Sequence, residues 1–151
     1  AVITTEAANS DAIVMAAAVA DFRPAMVVDG KLKKERLGDT PSLALMRNTD
    51  VLAELGRTFG ARKDRGRPVL VGFAAEVEHV EANARGKLAA KGCDLMVAND
   101  VSARDSGFEV DTNLVTIIGP SDETVRLPLL SKDEVAHHII DRIRAIMAGR
   151  E

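Results

Sequence analysis

The chain has 151 residues, 46% of them hydrophobic, and sets 20 Lys and Arg against 23 Asp and Glu for a formal net charge of -3. That length can bury one proper core in one domain, and that charge gives the molecule as a whole no electrostatic reason to seek nucleic acid or an anionic membrane. Aromatic residues make up 3% of the chain and include neither Trp nor Tyr, which leaves almost no stacking platform for single-stranded nucleic acid.

Residues 12–19 form the first short apolar run bounded by polar residues and predict a buried strand. From Phe22 to Met46 the chain is irregular and basic, punctuated by Pro24, Gly30, Gly38 and Pro41, and reads as a loop or small excursion. Residues 48–59 read as a helix, with Asp50 in the first turn and Val51, Leu52, Leu55 and Phe59 near helical spacing. Residues 68–75 and 94–98 are further buried strands. Between them residues 77–91, rich in Ala, Glu, Lys and Arg and closed by Gly92, predict a helix with a glycine stop. Strand, helix, strand is a βαβ unit and implies a parallel sheet.

Residues 114–118 and 124–127 flank the turn-like Gly119, Pro120, Ser121 and Asp122, which predicts a hairpin at the sheet edge, and residues 132–147 close the domain as an amphipathic helix. A doubly wound nucleotide fold normally opens with strand, Gly-rich turn and helix. Here the residues before position 12 contain no glycine, so the expectation is one domain without its N-terminal strand and Gly-rich segment. Cys93 is the sole cysteine, which excludes an internal disulfide and a multi-cysteine zinc site and fits a reducing, cytoplasmic setting. No apolar run reaches the length of a membrane span.

Several clusters could carry chemistry, each with a plainer alternative. Asp21 ends a run of small residues, Ala16-Ala17-Ala18-Val19-Ala20, where it could meet a base, ribose or metal, or simply cap a turn. Lys31 and Lys33 alternate onto one side of an extended segment, with Arg36 close by, which suits a triphosphate or a lysine-protected strand edge. Lys87 and Lys91 are four apart on one helix face and could grip a polyphosphate, or merely answer the helix dipole. Gly72 and Phe73 could admit and cover a nucleobase, or belong to the core. Asn99, Asp100 and Ser102, with Gly107, Phe108, Asp111, Thr112 and Asn113 beyond, could line a cleft or cap turns. His79, His137 and His138 have no metal-ligand spacing and read as exposed helix positions. Walker, G-x-S-x-G and G-x-G-x-x-G motifs are absent from the sequence, which counts against a dinucleotide enzyme.

In order along the chain stand AAAVADFRP, KLKK, RNTDVL, VGFAAE, ARGKLAAKGCDLMVANDV and GFEVDTN. From about Ala12 to the end this succession resembles phosphopantothenoylcysteine synthetase, or phosphopantothenate-cysteine ligase, often the C-terminal half of a bacterial bifunctional protein. The resemblance implies a three-layer α/β/α Rossmann-like domain and a homodimer, with residues near Lys31 to Leu45 at the interface as strands beside the partner's active site. It implies CTP, 4′-phosphopantothenate and cysteine as substrates, Mg²⁺ as cofactor, and a flavin-dependent decarboxylase domain as a possible fusion partner. It assigns nucleotide contacts to Asp21, Lys31, Thr49, Asp50, Val51, Leu52, Phe73, Lys87 and Lys91, with Lys31 also the catalytic cation. Thr49 stands where the family usually has Pro. The family's opening Gly-Gly-Thr turn and its Asn and Ser-Ser-Gly segment have no counterpart in these residues, so a non-catalytic nucleotide-binding or dimerisation fragment is the alternative expectation.

Overall fold

The computed structural model describes residues 2–60, 66–102, 110–120 and 123–150, and of residues 2, 4, 35 and 36 the backbone alone. In chain order the elements are α1 (Val2–Ala7), β1 (Ala12–Met15), β2 (Phe22–Pro24), α2 (Lys34–Leu37), β3 (Leu45–Arg47) and α3 (Val51–Leu55), which runs into a π-helical turn at Gly56–Gly60. There follow β4 (Val69–Glu76), α4 (Val80–Lys91), β5 (Leu95–Asp100), β6 (Thr112–Asn113), β7 (Val115–Ile118), β8 (Thr124–Arg126), β9 (Leu130–Ser131) and α5 (Lys132–Ala148). Two compact units result: Ala18–Asp50 is one, and Ala1–Ala17 with Val51–Glu151 is the other.

The larger unit is built on a five-stranded sheet in the order β1-β4-β5-β7-β8. β1, β4 and β5 run parallel, while β7 and β8 form the antiparallel hairpin predicted at the sheet edge. Strand alternation sorts the side chains of β4 onto two covered faces. Val69 and Val71 join Val97, Ile117 and the α5 residues Val135, Ile139 and Ile143 in one apolar cluster. On the other face Leu70 packs with Ala7, Leu55 and Phe59, and Ala74 with Ala84, Met96 and Ala98. Helices therefore cover both faces, the three-layer α/β/α arrangement that the resemblance implied.

α5 presents Val135, Ile139 and Ile143, spaced four apart, to the sheet, each adding roughly 1.5–3 kcal/mol by leaving water. It starts at a capping box: Ser131 Oγ accepts the Glu134 N–H at 3.2 Å and Glu134 Oε2 accepts the Ser131 N–H at 2.9 Å. α4 ends as predicted on Gly92, in the left-handed region at φ 62°.

Other boundaries moved for physical reasons. The strand expected over 12–19 stops at Met15, because the alanines that follow have little strand preference and no buried face to fill. The helix expected over 48–59 is α3 plus the wider turn, whose glycines lie against the end of α4: a Cβ at Gly56 would lie 1.7 Å from the Lys91 carbonyl oxygen. The helix expected from residue 77 begins only at Val80, after His79 adopts φ 48°. Asp94 precedes β5 instead of opening it. Its carboxylate is nearly buried and receives Arg67 at 2.5 and 2.9 Å, Arg150 at 2.6 Å and the Leu70 N–H at 2.8 Å. The short elements α1, β6 and β9 carry no periodicity long enough to predict.

In the smaller unit β2 and β3 pair as an antiparallel ribbon, Phe22 opposite Arg47 and Pro24 opposite Leu45. Lys33 is extended (φ −82°, ψ 138°), but no strand pairs with it and α2 begins at Lys34. The strands that the resemblance implied near Lys31 to Leu45 are thus, among the described residues, only the ribbon's Leu45–Arg47.

Candidate functional site

Parallel sheets present their ligand-binding side chains at the carboxyl ends of the strands, and in the larger unit that rim is polar. Glu76 closes β4 and is in register with Asp100, which closes β5. Glu76 is only 8% exposed. One of its carboxylate oxygens takes the Lys87 ammonium at 2.7 Å, and the other takes the Asn83 side-chain amide at 3.2 Å. Asn83 and Lys87 reach it from one face of α4, four residues apart. Asp100 accepts from the Ser102 hydroxyl at 2.6 Å and its N–H at 3.0 Å.

Beside this rim is a cavity of about 520 Å³ lined by His79, Glu81, Asp100, Thr116 and Arg126 among others. Glu81 binds Arg126 at 2.6 Å and Arg85 at 3.1 Å, and Arg126, then Arg85, holds its carboxyl below the usual carboxylate range. Ser131 does the same for Glu134 through the capping box. Among the described residues no group of three or more His, Cys, Asp or Glu could hold a metal ion. The described side chains therefore build no metal cage of their own.

The predicted residues fall as follows. Lys87 stands at the polar rim through its bond to Glu76. Lys91, one turn further along α4, is half-buried at the helix end, where its carbonyl meets Gly56. Phe73 lies on the α5 face of β4, packed against the larger apolar cluster, so its ring and the Glu76 carboxylate point to opposite faces of the sheet. Leu52 is buried with its Cδ2 over Gly72, where a Cβ would stand 2.6 Å away, so only its backbone can face a ligand. Val51 also packs on the core.

Asp21, Lys31, Thr49 and Asp50 belong to the smaller unit and are all exposed. There Asn48 ties the ribbon: its amide donates to the Ala20 carbonyl at 2.7 Å, its side-chain oxygen accepts from Arg23 at 2.7 Å, and its N–H donates to the Asp21 carbonyl at 2.7 Å. Gly107, Phe108, Ser121, Asp122 and the Arg36 side chain lie outside the described residues. His137 and His138 are exposed on α5 as expected, whereas His79 stands before α4 at the cavity. Sequence reasoning missed Glu76 and Asn83. The signal was an acid ending an apolar strand, followed by Asn83 and Lys87 at helical spacing.

The fold and this rim define a three-layer α/β domain of the Rossmann-like class, with polar side chains collected at the carboxyl ends of parallel strands. Residues 1–147 match the DNA/pantothenate metabolism flavoprotein C-terminal domain, and the chain belongs to that family. It is 47% identical over 137 residues to the Coenzyme A biosynthesis bifunctional protein CoaBC of Bacillus subtilis (strain 168), covering 91% of this chain and 32% of that protein. To the protein of the same name from Mycobacterium tuberculosis (strain ATCC 25618 / H37Rv) it is 40% identical over 151 residues, covering 97% of this chain and 36% of that one. The chain thus spans about a third of the length of the curated relatives it matches. The crystal structure of the C-terminal domain of a CoaBC protein superimposes with a TM-score of 0.73 at 32% identity, covering 98% of this chain and 60% of that one. No described helix is long and apolar enough to cross a membrane.

Proposed function

We propose that this domain carries out the phosphopantothenate-cysteine ligase step of coenzyme A biosynthesis, using CTP. The carboxylate oxygen of 4′-phosphopantothenate attacks the α-phosphorus of CTP, and the bond to pyrophosphate breaks. The acyl-cytidylate so formed is attacked at its carbonyl carbon by the amine of cysteine. CMP leaves, and the nitrogen sheds a proton to give the amide.

The chemical demand on the protein is to neutralise a triphosphate while a second anion approaches it. Lys31 is assigned the charge that develops at the reacting phosphate, Lys87 and Lys91 the remaining phosphates, and Asp21, Phe73 and the backbone of Thr49, Asp50, Val51 and Leu52 the placement of the nucleoside. Mg²⁺ enters as the nucleotide's own counter-ion. The exposed apolar residues of Ala18–Asp50 supply a homodimer contact. The observation that carries the reading is Lys87, a cation held at the carboxyl end of a parallel strand in a family whose relatives bear coenzyme A biosynthesis names. The bifunctional relatives also support a fused decarboxylase domain.

Calorimetric titration of the full-length protein with CTP and with ATP, followed by pyrophosphate release with 4′-phosphopantothenate present, tests it. CTP-dependent pyrophosphate is the expected result. Binding heat without pyrophosphate would leave a nucleotide-binding domain that makes no bond.

A further inference from the structure

A carboxylate withdrawn from water needs a partner, because an unpaired buried charge is far more costly than an exposed one. Glu76 meets that need with two side chains from the same helix, Lys87 on one oxygen and Asn83 on the other. What matters for function is which member of the pair is fixed. Glu76 lies in β4, held through its register with Asp100 and through its carbonyl, which accepts the Val101 N–H at 3.0 Å. Its side chain is 9% exposed, against 46% for that of Lys87. The anion is therefore stationary, and the cation is a flexible stem tethered to it with half its surface still in water.

An ammonium has three donors. Among the described residues Glu76 is the one side chain bonded to that of Lys87.

We propose that Glu76 is a positioning residue that holds the Lys87 ammonium at the carboxyl end of β4, so that an incoming phosphate meets a cation already in place. This rests on the assignment of Lys87 as a nucleotide contact. A lysine side chain loses considerable rotamer freedom when it is ordered. With Glu76 in place that ordering precedes binding, and without it each nucleotide must impose it. Asn83 stabilises the arrangement from the far oxygen, and the charged bond to Lys87 is the stronger of the two.

The test is steady-state pyrophosphate release by the full-length protein with CTP as the varied substrate, at a temperature below the unfolding transition of every variant. Glu76→Ala should raise KM for CTP about tenfold while kcat stays within about threefold, the size set by the rotamer freedom of one lysine. Glu76→Gln keeps an acceptor without its charge and should fall between wild type and Glu76→Ala. Lys87→Met should raise KM at least as much, and the double variant Glu76→Ala/Lys87→Met should be no worse than Lys87→Met alone, because both remove the same contact. A Glu76→Ala variant that loses thermal stability but keeps its KM, or effects that add in the double variant, overturns the positioning role. If Glu76→Ala does not fold, Glu76→Gln decides alone, and a wild-type KM there overturns it. A wild-type KM in Lys87→Met instead removes the assignment of Lys87 on which the proposal stands.

Discussion

In the sheet unit Leu70, Val97 and Ile118 are wholly withdrawn from water, whereas in Ala18–Asp50 Phe22, Met26, Val27 and Leu43 remain 51%, 78%, 92% and 70% exposed. Of the smaller unit's described side chains, all are exposed except Asn48, which ties the ribbon by hydrogen bonds and not by packing. One region thus has a core and keeps its polar groups at strand ends, and the other has apolar surface without a core. Exposed apolar side chains in this number support the homodimer contact proposed for this unit. A substitution in Ala18–Asp50 should therefore leave stability unchanged and be read in turnover or assembly, whereas one in the buried core of the sheet should be read in stability.

The sharpest way to break that division is Lys31→Gln. The side chain is exposed, so the melting curve should not move, yet turnover should fall on the order of 10² to 10³-fold, the scale of one lost electrostatic donor. Unchanged pyrophosphate release would take Lys31 out of the mechanism. Next comes the pair Leu70→Ala and Val27→Ala, followed by chemical denaturation. The first empties a fully buried position and should cost about 3 kcal/mol, and the second, at 92% exposure, less than about 0.5 kcal/mol. A Val27 cost that grows with protein concentration would show that a second subunit covers it. Sedimentation of Val27→Asp sharpens the same point: if the proposed homodimer uses this face, the species should shift from dimer to folded monomer, and an unaltered dimer would place the interface elsewhere.

The smallest effect belongs to the sheet unit's own surface. Arg126 and Arg85 depress the Glu81 carboxyl, so its stabilising share is complete above the usual carboxylate range and fades as pH falls through its lower folded value. Stability of Glu81→Gln should therefore decline less steeply with acid than that of wild type. Parallel denaturation midpoints from neutral pH downward would refute this.

The parallel core was legible because β4 and β5 are buried on both faces, and such strands read as unbroken apolar runs. α5 was legible as an amphipathic pattern, and its buried residues do stand four apart. What stayed hidden depends on contacts distant in sequence. Gly56 and Gly60 interrupt a helix because Lys91 and Gly92 lie against them, and nothing local announces that. The ribbon joins Phe22 to Arg47 across a stretch with no alternation to reveal it. At the candidate site Lys87 was found from charge spacing on one helix, whereas its carboxylate partner was missed because Glu76 reads as the polar end of a strand until α4 is folded back over it.

Where Gly56 meets the Lys91 carbonyl, two main chains touch with no room for even a methyl group. A joint of that kind has no side-chain cushion, so the π turn and the tail of α4 cannot slip past one another by degrees. They must travel as a single piece or come apart, which makes this crossing a stiff coupling between the α3 segment and the helix that bears Lys87.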